Sequence, residues 1–349
     1  MTRGIRLGAL AAGLLALAVV LPREAGADPV AEFYRGKTVR MLIGAAAGGG
    51  YDAVGRAVAR HMGRHIPGNP SVVVENMPGA ASLIMTNHLY NRAPRDGTVM
   101  GNPTNSLAVD SKLKLMAAGN VMFDTRRMSW IGTPARQPQV LFVWHDTPFH
   151  TLEDMKKDKL ILGAIAAGAD NVTLPMIMNQ VFGTRTEAVV GYKGTAEILI
   201  AMERREVQGH VALLANVTAG SPHWLKDRKI RIVLQFGSER SEELRDVPTA
   251  LELATSPADQ ELLRFYSLKY DMAYPIVLPP DVPAERIKAL RQAFDATMSD
   301  PQYREDAKRV GLSVNPLSGD QVASLIAQIE DAPEAIVERI RKIVAAGSK

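Results

Sequence analysis

The stretch from Lys37 to Ala80 constrains the fold most: it reads strand, glycine loop, helix, strand, second glycine loop. Thr38 to Ile43 is β-branched and apolar enough for a buried strand. Gly48-Gly49-Gly50-Tyr51-Asp52 follows, then a helical pattern with Val54, Ala57, Val58 and Met62 on one face. Ser71 to Glu75 is a second strand, closed by Asn76-Met77-Pro78-Gly79-Ala80. Glycines between a strand and a helix leave backbone N–H groups bare at the helix's positive end, where an anion is favoured.

The alternation continues along the chain. Strands are expected at 97–101, 139–144, 160–165, 187–190, 207–214, 230–236 and 274–278. The unit from Leu160 to Gly194 repeats the first one. A strand runs into the small-residue loop Ala166-Ala167-Gly168-Ala169-Asp170-Asn171, and a helix leads to a strand ending at Gly191-Tyr192-Lys193-Gly194. Thr151 to Asp154 has the form of a capping box. Pro283 opens a helix with Ile287, Leu290, Phe294 and Met298 on its buried side. This pattern predicts an α/β protein with parallel sheets. The expected division is 28–144 plus 273–349 as one domain, with 145–272 inserted as a second. Two segments then cross between the domains, and loops from both halves face one cleft.

Residues 1–27 read as a secretory signal peptide: Arg3 and Arg6, an apolar run from Leu7 to Leu21, then Ala25-Gly26-Ala27 before Asp28. The run falls short of the ~20 residues that span a bilayer; a retained anchor is the competing reading. The expected location is the periplasm. The chain has no cysteine, which excludes disulfides, Cys-based metal sites and a thiol nucleophile. A net charge of +4, scattered along 349 residues, does not point to nucleic acid. Its faint basic bias suits small anions.

Four segments together resemble the Bug family, the periplasmic substrate-binding proteins of tripartite tricarboxylate transporters. They are Gly49-Gly50-Tyr51-Asp52, Val72-Val73-Val74-Glu75-Asn76-Met77-Pro78-Gly79-Ala80, Pro94-Arg95-Asp96-Gly97-Thr98 and Asp246-Val247-Pro248-Thr249-Ala250-Leu251-Glu252. The resemblance covers nearly all of the chain after the leader. It implies a type II periplasmic-binding-protein clamp: two Rossmann-like lobes joined by two crossing segments. It also implies a non-enzymatic receptor without a cofactor. The implied ligand is a small carboxylate: a dicarboxylate, a tricarboxylate, an acidic amino acid or an aromatic acid. The implied partners are the large and small membrane subunits of the carrier. Two positions depart from the family pattern. Ala45 stands where many members have an aromatic residue, and Ala81-Ser82 where many have two glycines.

The candidate ligand-binding residues are the loop ends. From the first domain they are Ala47, Gly48, Gly49, Gly50, Tyr51, Asp52, Pro103, Thr104, Asn105 and Ser106. From the second they are Ala167, Gly168, Asp170, Asn171, Tyr192, Lys193 and Gly194. Asp52 reads as the cap of its helix, with contact to ligand as the alternative. Asp170 or Asn171 reads as the cap of the helix that follows, and Lys193 as the one candidate cation of the cleft, with an ordinary solvated lysine as the commoner reading. Other chemistries find less support. Gly48 to Ala53 satisfies G-x-G-x-x-A with Glu75 ending the next strand, so a dinucleotide-binding oxidoreductase using Gly48–Gly50 is the alternative function. Asp52 would repel a pyrophosphate there. His61 and His65 share a helix face without a third metal ligand, and read as a solvated basic face with Arg60 and Arg64. No Gly-x-Ser-x-Gly elbow is present.

Overall fold

The computed structural model describes Met1 and residues 28–116, 120–166, 169–220 and 222–346. Residues 2–27 of the expected leader lie outside these residues. The strands are β1 (Thr38–Ile43), β2 (Ser71–Asn76), β3 (Val99–Asn102), β4 (Ser129–Thr133), β5 (Gln139–Trp144), β6 (Leu160–Gly163), β7 (Thr186–Val189), β8 (Gly209–Leu213), β9 (Ile230–Phe236), β10 (Ile276–Leu278) and β11 (Leu317–Ser318). They form two sheets, one ordered β11-β4-β10-β3-β1-β2 and the other β7-β6-β8-β5-β9.

The two sheets repeat one topology. β1 lies between β2 and β3, parallel to both. β6 lies between β7 and β8, again parallel to both. Strand order therefore reverses at β1 in one lobe and at β6 in the other. In a doubly wound sheet the ligand crevice opens beyond the carboxyl end of such a strand. The loops that follow β1 and β6 are the Gly48 and Asp170 loops.

The apolar pattern explains the packing. The helix Gly50–Met62 buries Val54, Ala57, Val58 and Met62 against the first sheet, as its 3.6-residue period predicts. The helix Ala284–Ser299 buries Leu290, Phe294 and Met298, with Ile287 partly covered. Each such side chain contributes about 1.5–3 kcal/mol. Thr151 and Asp154 form the expected capping box, the Thr151 N–H donating to the Asp154 carboxylate at 2.8 Å.

The domain boundaries need correction at both ends. β5 does not close the first domain: it pairs antiparallel with β8 and β9 inside the second sheet. All six of its residues are buried, which needs cover on both faces and a strand on each side. The C-terminal helix Glu334–Ala346 does not stay with the first lobe either. Ile336, Val337, Ile340, Ile343 and Val344 are buried, and the helix packs on Asp170–Phe182 and Pro257–Ser267 of the second lobe. Arg339 pairs with Asp259 there at 2.6 Å, while Arg341 caps first-lobe carbonyls at Lys112 and Leu113. This helix ties the lobes together beside the two crossing segments.

His61 and His65 do not form a solvated face. Each is hydrogen-bonded across to an acid of the helix Pro301–Arg309, His61 to Asp306 within it at 3.0 Å and His65 to its N-cap Asp300 at 2.9 Å. Arg60 and Arg64 join the same two carboxylates. The i, i+4 pair is a cross-tie between helices.

Candidate functional site

Two chain segments cross between the lobes side by side. Ala273 N–H donates to Ala135 O at 3.1 Å, and Gln137 N–H to Tyr270 O at 2.9 Å. The Tyr274 hydroxyl donates to Gln137 Oε1 at 3.2 Å. The end of β8 is tied to the same hinge, Leu214 N–H donating to Pro138 O at 3.1 Å. Thus the carboxyl ends of parallel β6, β7 and β8 face the hinge from one side. The ends of β1, β2 and β3 face it from the other.

The first-lobe loop begins at Gly44, whose backbone runs so close to Ser82 that a Cβ would sit 2.3 Å from its Oγ. Gly48 has φ +84°, a conformation that favours glycine. Ala46 to Gly50 are exposed. The N-cap of the helix is Gly49, and Asp52 is its third residue, so the cap expectation is corrected. The short Asp side chain reaches back instead. Its Oδ2 accepts the Gly48 N–H at 2.9 Å, and Oδ1 accepts Arg56 Nε and Asn76 Nδ2, both at 2.9 Å. The Arg56 hydrogen bond, aided by Gly48 and Asn76 and opposed by burial, holds the Asp52 carboxyl down at about 2. Asp52 braces the turn from behind and consumes one of its amides.

Ser82 knits the neighbouring loops. It is fully buried, donates to Gly44 O at 3.1 Å and accepts Thr104 N–H at 2.9 Å. Ala80, Ala81 and Ser82 all have positive φ, at +46°, +51° and +70°. Left-handed backbone costs such residues about 1–3 kcal/mol each, and the glycines common at this point of the family pattern would avoid much of it. Pro103 is buried, and Thr104, Asn105 and Ser106 are half-buried. Asn105 N–H donates to the Tyr51 hydroxyl at 2.9 Å, and Tyr51 donates on to Ala273 O at 2.8 Å. Tyr51 also meets Tyr274 edge to face at 4.9 Å.

In the second lobe, Ala167 and Gly168 lie outside the described residues. Asp170 is the first helical residue and Ala169 the N-cap, so neither Asp170 nor Asn171 caps. Asn171 Oδ1 accepts the Ile165 N–H at 3.2 Å instead. Tyr192 is half-buried, and Gly194 is the N-cap of the helix Thr195–Glu203. Lys193 is exposed, its N–H donating to Glu197 at 2.6 Å.

The buried cation of the hinge is Lys269, which the sequence reading missed. Its ammonium contacts Asp170 Oδ1 at 2.6 Å and lies over the Tyr266 ring at 3.9 Å. Its backbone carbonyl accepts Asn105 Nδ2 from the first lobe at 3.0 Å. Burial opposes the charge, but the Asp170 carboxylate outweighs it and holds the ammonium charged. The only sequence signal was a lysine set between aromatic residues in Tyr266-Ser267-Leu268-Lys269-Tyr270. Below the cleft floor, His210 is held neutral, pushed down to about 4 by burial, with Nδ1 2.8 Å from Gly163 O.

The geometry is that of a hinged clamp with two matching loops. The family model described as "Tripartite tricarboxylate transporter family receptor", TctC, matches residues 54–341. The chain belongs to the TctC family. A relative of this TctC receptor from Cupriavidus necator, described as "UPF0065 protein in gbd 5'region", is 25% identical over 350 residues, covering 97% of this chain and 95% of the relative. Among solved structures, a TctC solute-binding protein from Polaromonas is similar at TM-score 0.70 and 17% identity, covering 90% of this chain and 99% of that one. R. palustris Rpa4515, solved with adipate, is similar at TM-score 0.61 and 20% identity, covering 89% and 98%. These likenesses show the two-lobed periplasmic-binding-protein fold. Among the described residues no helix is long and apolar enough to cross a membrane.

Proposed function

We propose that this TctC receptor works in the periplasm, closes its lobes on a small carboxylate, and delivers it to the membrane subunits of a tripartite carrier. The observation that carries this reading is the exposed Gly48–Gly50 turn. It stands at the strand-order reversal of the first lobe and beside the hinge, Gly50 lying close to the Tyr274 hydroxyl. The first N–H groups of a helix have no acceptor within it, and Gly49 and Gly50 have no side chains to cover them. Three or four charge-assisted hydrogen bonds, at about 1.5–3 kcal/mol each, suffice for micromolar affinity. The adipate in Rpa4515 supports the ligand class.

Support for the dinucleotide alternative is weaker. Asp52 holds a full negative charge on the turn a pyrophosphate would need. The test is a thermal-shift screen of residues 28–349 with organic acids, NAD and NADP. Stabilisation by one or more acids, about 4 kcal/mol at a thousandfold excess over Kd, supports the receptor reading. Stabilisation by the dinucleotides alone would replace it.

A further inference from the structure

Three helices whose N-termini open on the cleft carry a carboxylate of their own. In Gly50–Met62 it is Asp52, bonded to the Gly48 N–H. In Asp170–Phe182 it is Asp170, bonded to Lys269 and to the Tyr266 hydroxyl at 2.9 Å. In Thr195–Glu203 it is Glu197, bonded to the Lys193 N–H. A helix N-terminus is worth about half a positive charge, so these acids offset the field that would draw in a multiply charged anion. Arg56 is committed to Asp52 and Lys269 to Asp170, which leaves the exposed Lys193, whose charge solvent screens. Gln139, at the start of β5, spends its amide nitrogen on Asp170, and its buried Oε1 has no partner.

The second lobe offers apolar surface instead. Ile165 follows the end of β6 and Val190 the end of β7; they are 36% and 53% exposed. The backbone around them is spent internally. Ile165 N–H goes to Asn171 and its carbonyl accepts Gly191 N–H, while Ala164 bonds Val189 and Tyr192. Side chains are what remains to meet a ligand. Across the cleft, exposed Ala46 and Ala47 leave room. Apolar walls with a few fixed polar groups are the usual make-up of a small-molecule site.

We infer that this cleft selects a monocarboxylate on an apolar chain or ring, in preference to a di- or tricarboxylate. The inference rests on the receptor reading above. The single carboxylate lies at the Gly49–Gly50 turn and the apolar body lies along Ile165 and Val190.

Calorimetric titration of residues 28–349 with hexanoate and adipate tests this, since the two have equal chain length and differ by one carboxylate. Hexanoate is expected to bind about tenfold or more tightly than adipate. Phenylacetate in a parallel titration tells ring from chain. Adipate binding as tightly as hexanoate or more so overturns the inference and leaves the receptor reading intact. Failure of every organic acid to bind the folded protein removes both. In the variant Val190→Lys, which adds a cation at an exposed position, the adipate-to-hexanoate affinity ratio is expected to rise about tenfold. An unchanged ratio places the ligand away from this wall and overturns the proposal.

Discussion

The Lys269 ammonium lies 2.6 Å from the Asp170 carboxylate, so the second-lobe cleft loop is tied to the hinge through a largely buried ion pair. Lys269 is 2% exposed and Asp170 25%. Removing one partner of such a pair strands the other charge. Lys269→Met is expected to cost about 3–5 kcal/mol. Adding Asp170→Asn to it should recover part of that loss, because no charge is left unpaired. Urea midpoints of the two single variants and the double variant measure the coupling; strictly additive losses would contradict it.

Asp52 gives a pH-dependent prediction. Its folded pKa, about 2, lies below the usual carboxylate value. A depressed pKa contributes stability that is complete above the unfolded value, near 4, and is lost as pH falls through the folded one. Asp52→Asn keeps the shape but not the charge. It should lower stability at pH 7 by about 1–3 kcal/mol, and the gap to the unmodified protein should close by about pH 2. Denaturant melts across that range check it; a gap that does not depend on pH would contradict it.

Gly44→Ala places a methyl group against Ser82, where its Cβ would lie 2.5 Å from the Ser82 Cβ and 3.2 Å from its Cα. Ser82 is already held by Gly44 O and Thr104 N–H and cannot easily yield. We expect a loss of about 1–3 kcal/mol. Proton exchange at the Thr104 amide should quicken as that bond loosens; unchanged exchange would mean that the three loops move independently.

The cross-tie at Asp300 predicts acid sensitivity away from the cleft. Burial pushes the Asp300 carboxyl up, but His65, Arg64 and the Gln302 N–H outweigh it and hold it well below the usual range. Its contribution is therefore present above about pH 4 and lost below. Asp300→Ala is expected to destabilise at pH 7 and to matter progressively less toward pH 2, read by thermal melts at each pH. Equal destabilisation at both pH values would contradict the account.

Local pattern carried most of the fold. The β-branched apolar run of β1 and the 3.6-residue stripe of Val54, Ala57, Val58 and Met62 are set by neighbours in the chain, so they could be read directly. So could the loops after β1 and β6. What escaped was non-local. β5 looks the same from sequence whether it ends one domain or centres the next, since both demand a continuous apolar run. The stripe of Ile336, Val337, Ile340 and Ile343 announces a buried face but not which lobe covers it. Asp52 was misread because Gly49 can cap with its backbone alone, which frees the acid to reach Gly48. Lys269 was invisible because its partner, Asp170, lies 99 residues away.

The most direct test of the clamp is amide hydrogen exchange on residues 28–349, with and without the acid that raises the melting temperature most. The account predicts slowed exchange at Gly48–Asp52 in the first lobe and at 190–194 in the second, together and in proportion to occupancy. Slowed exchange in one lobe only, or at a surface away from both loops, would contradict it.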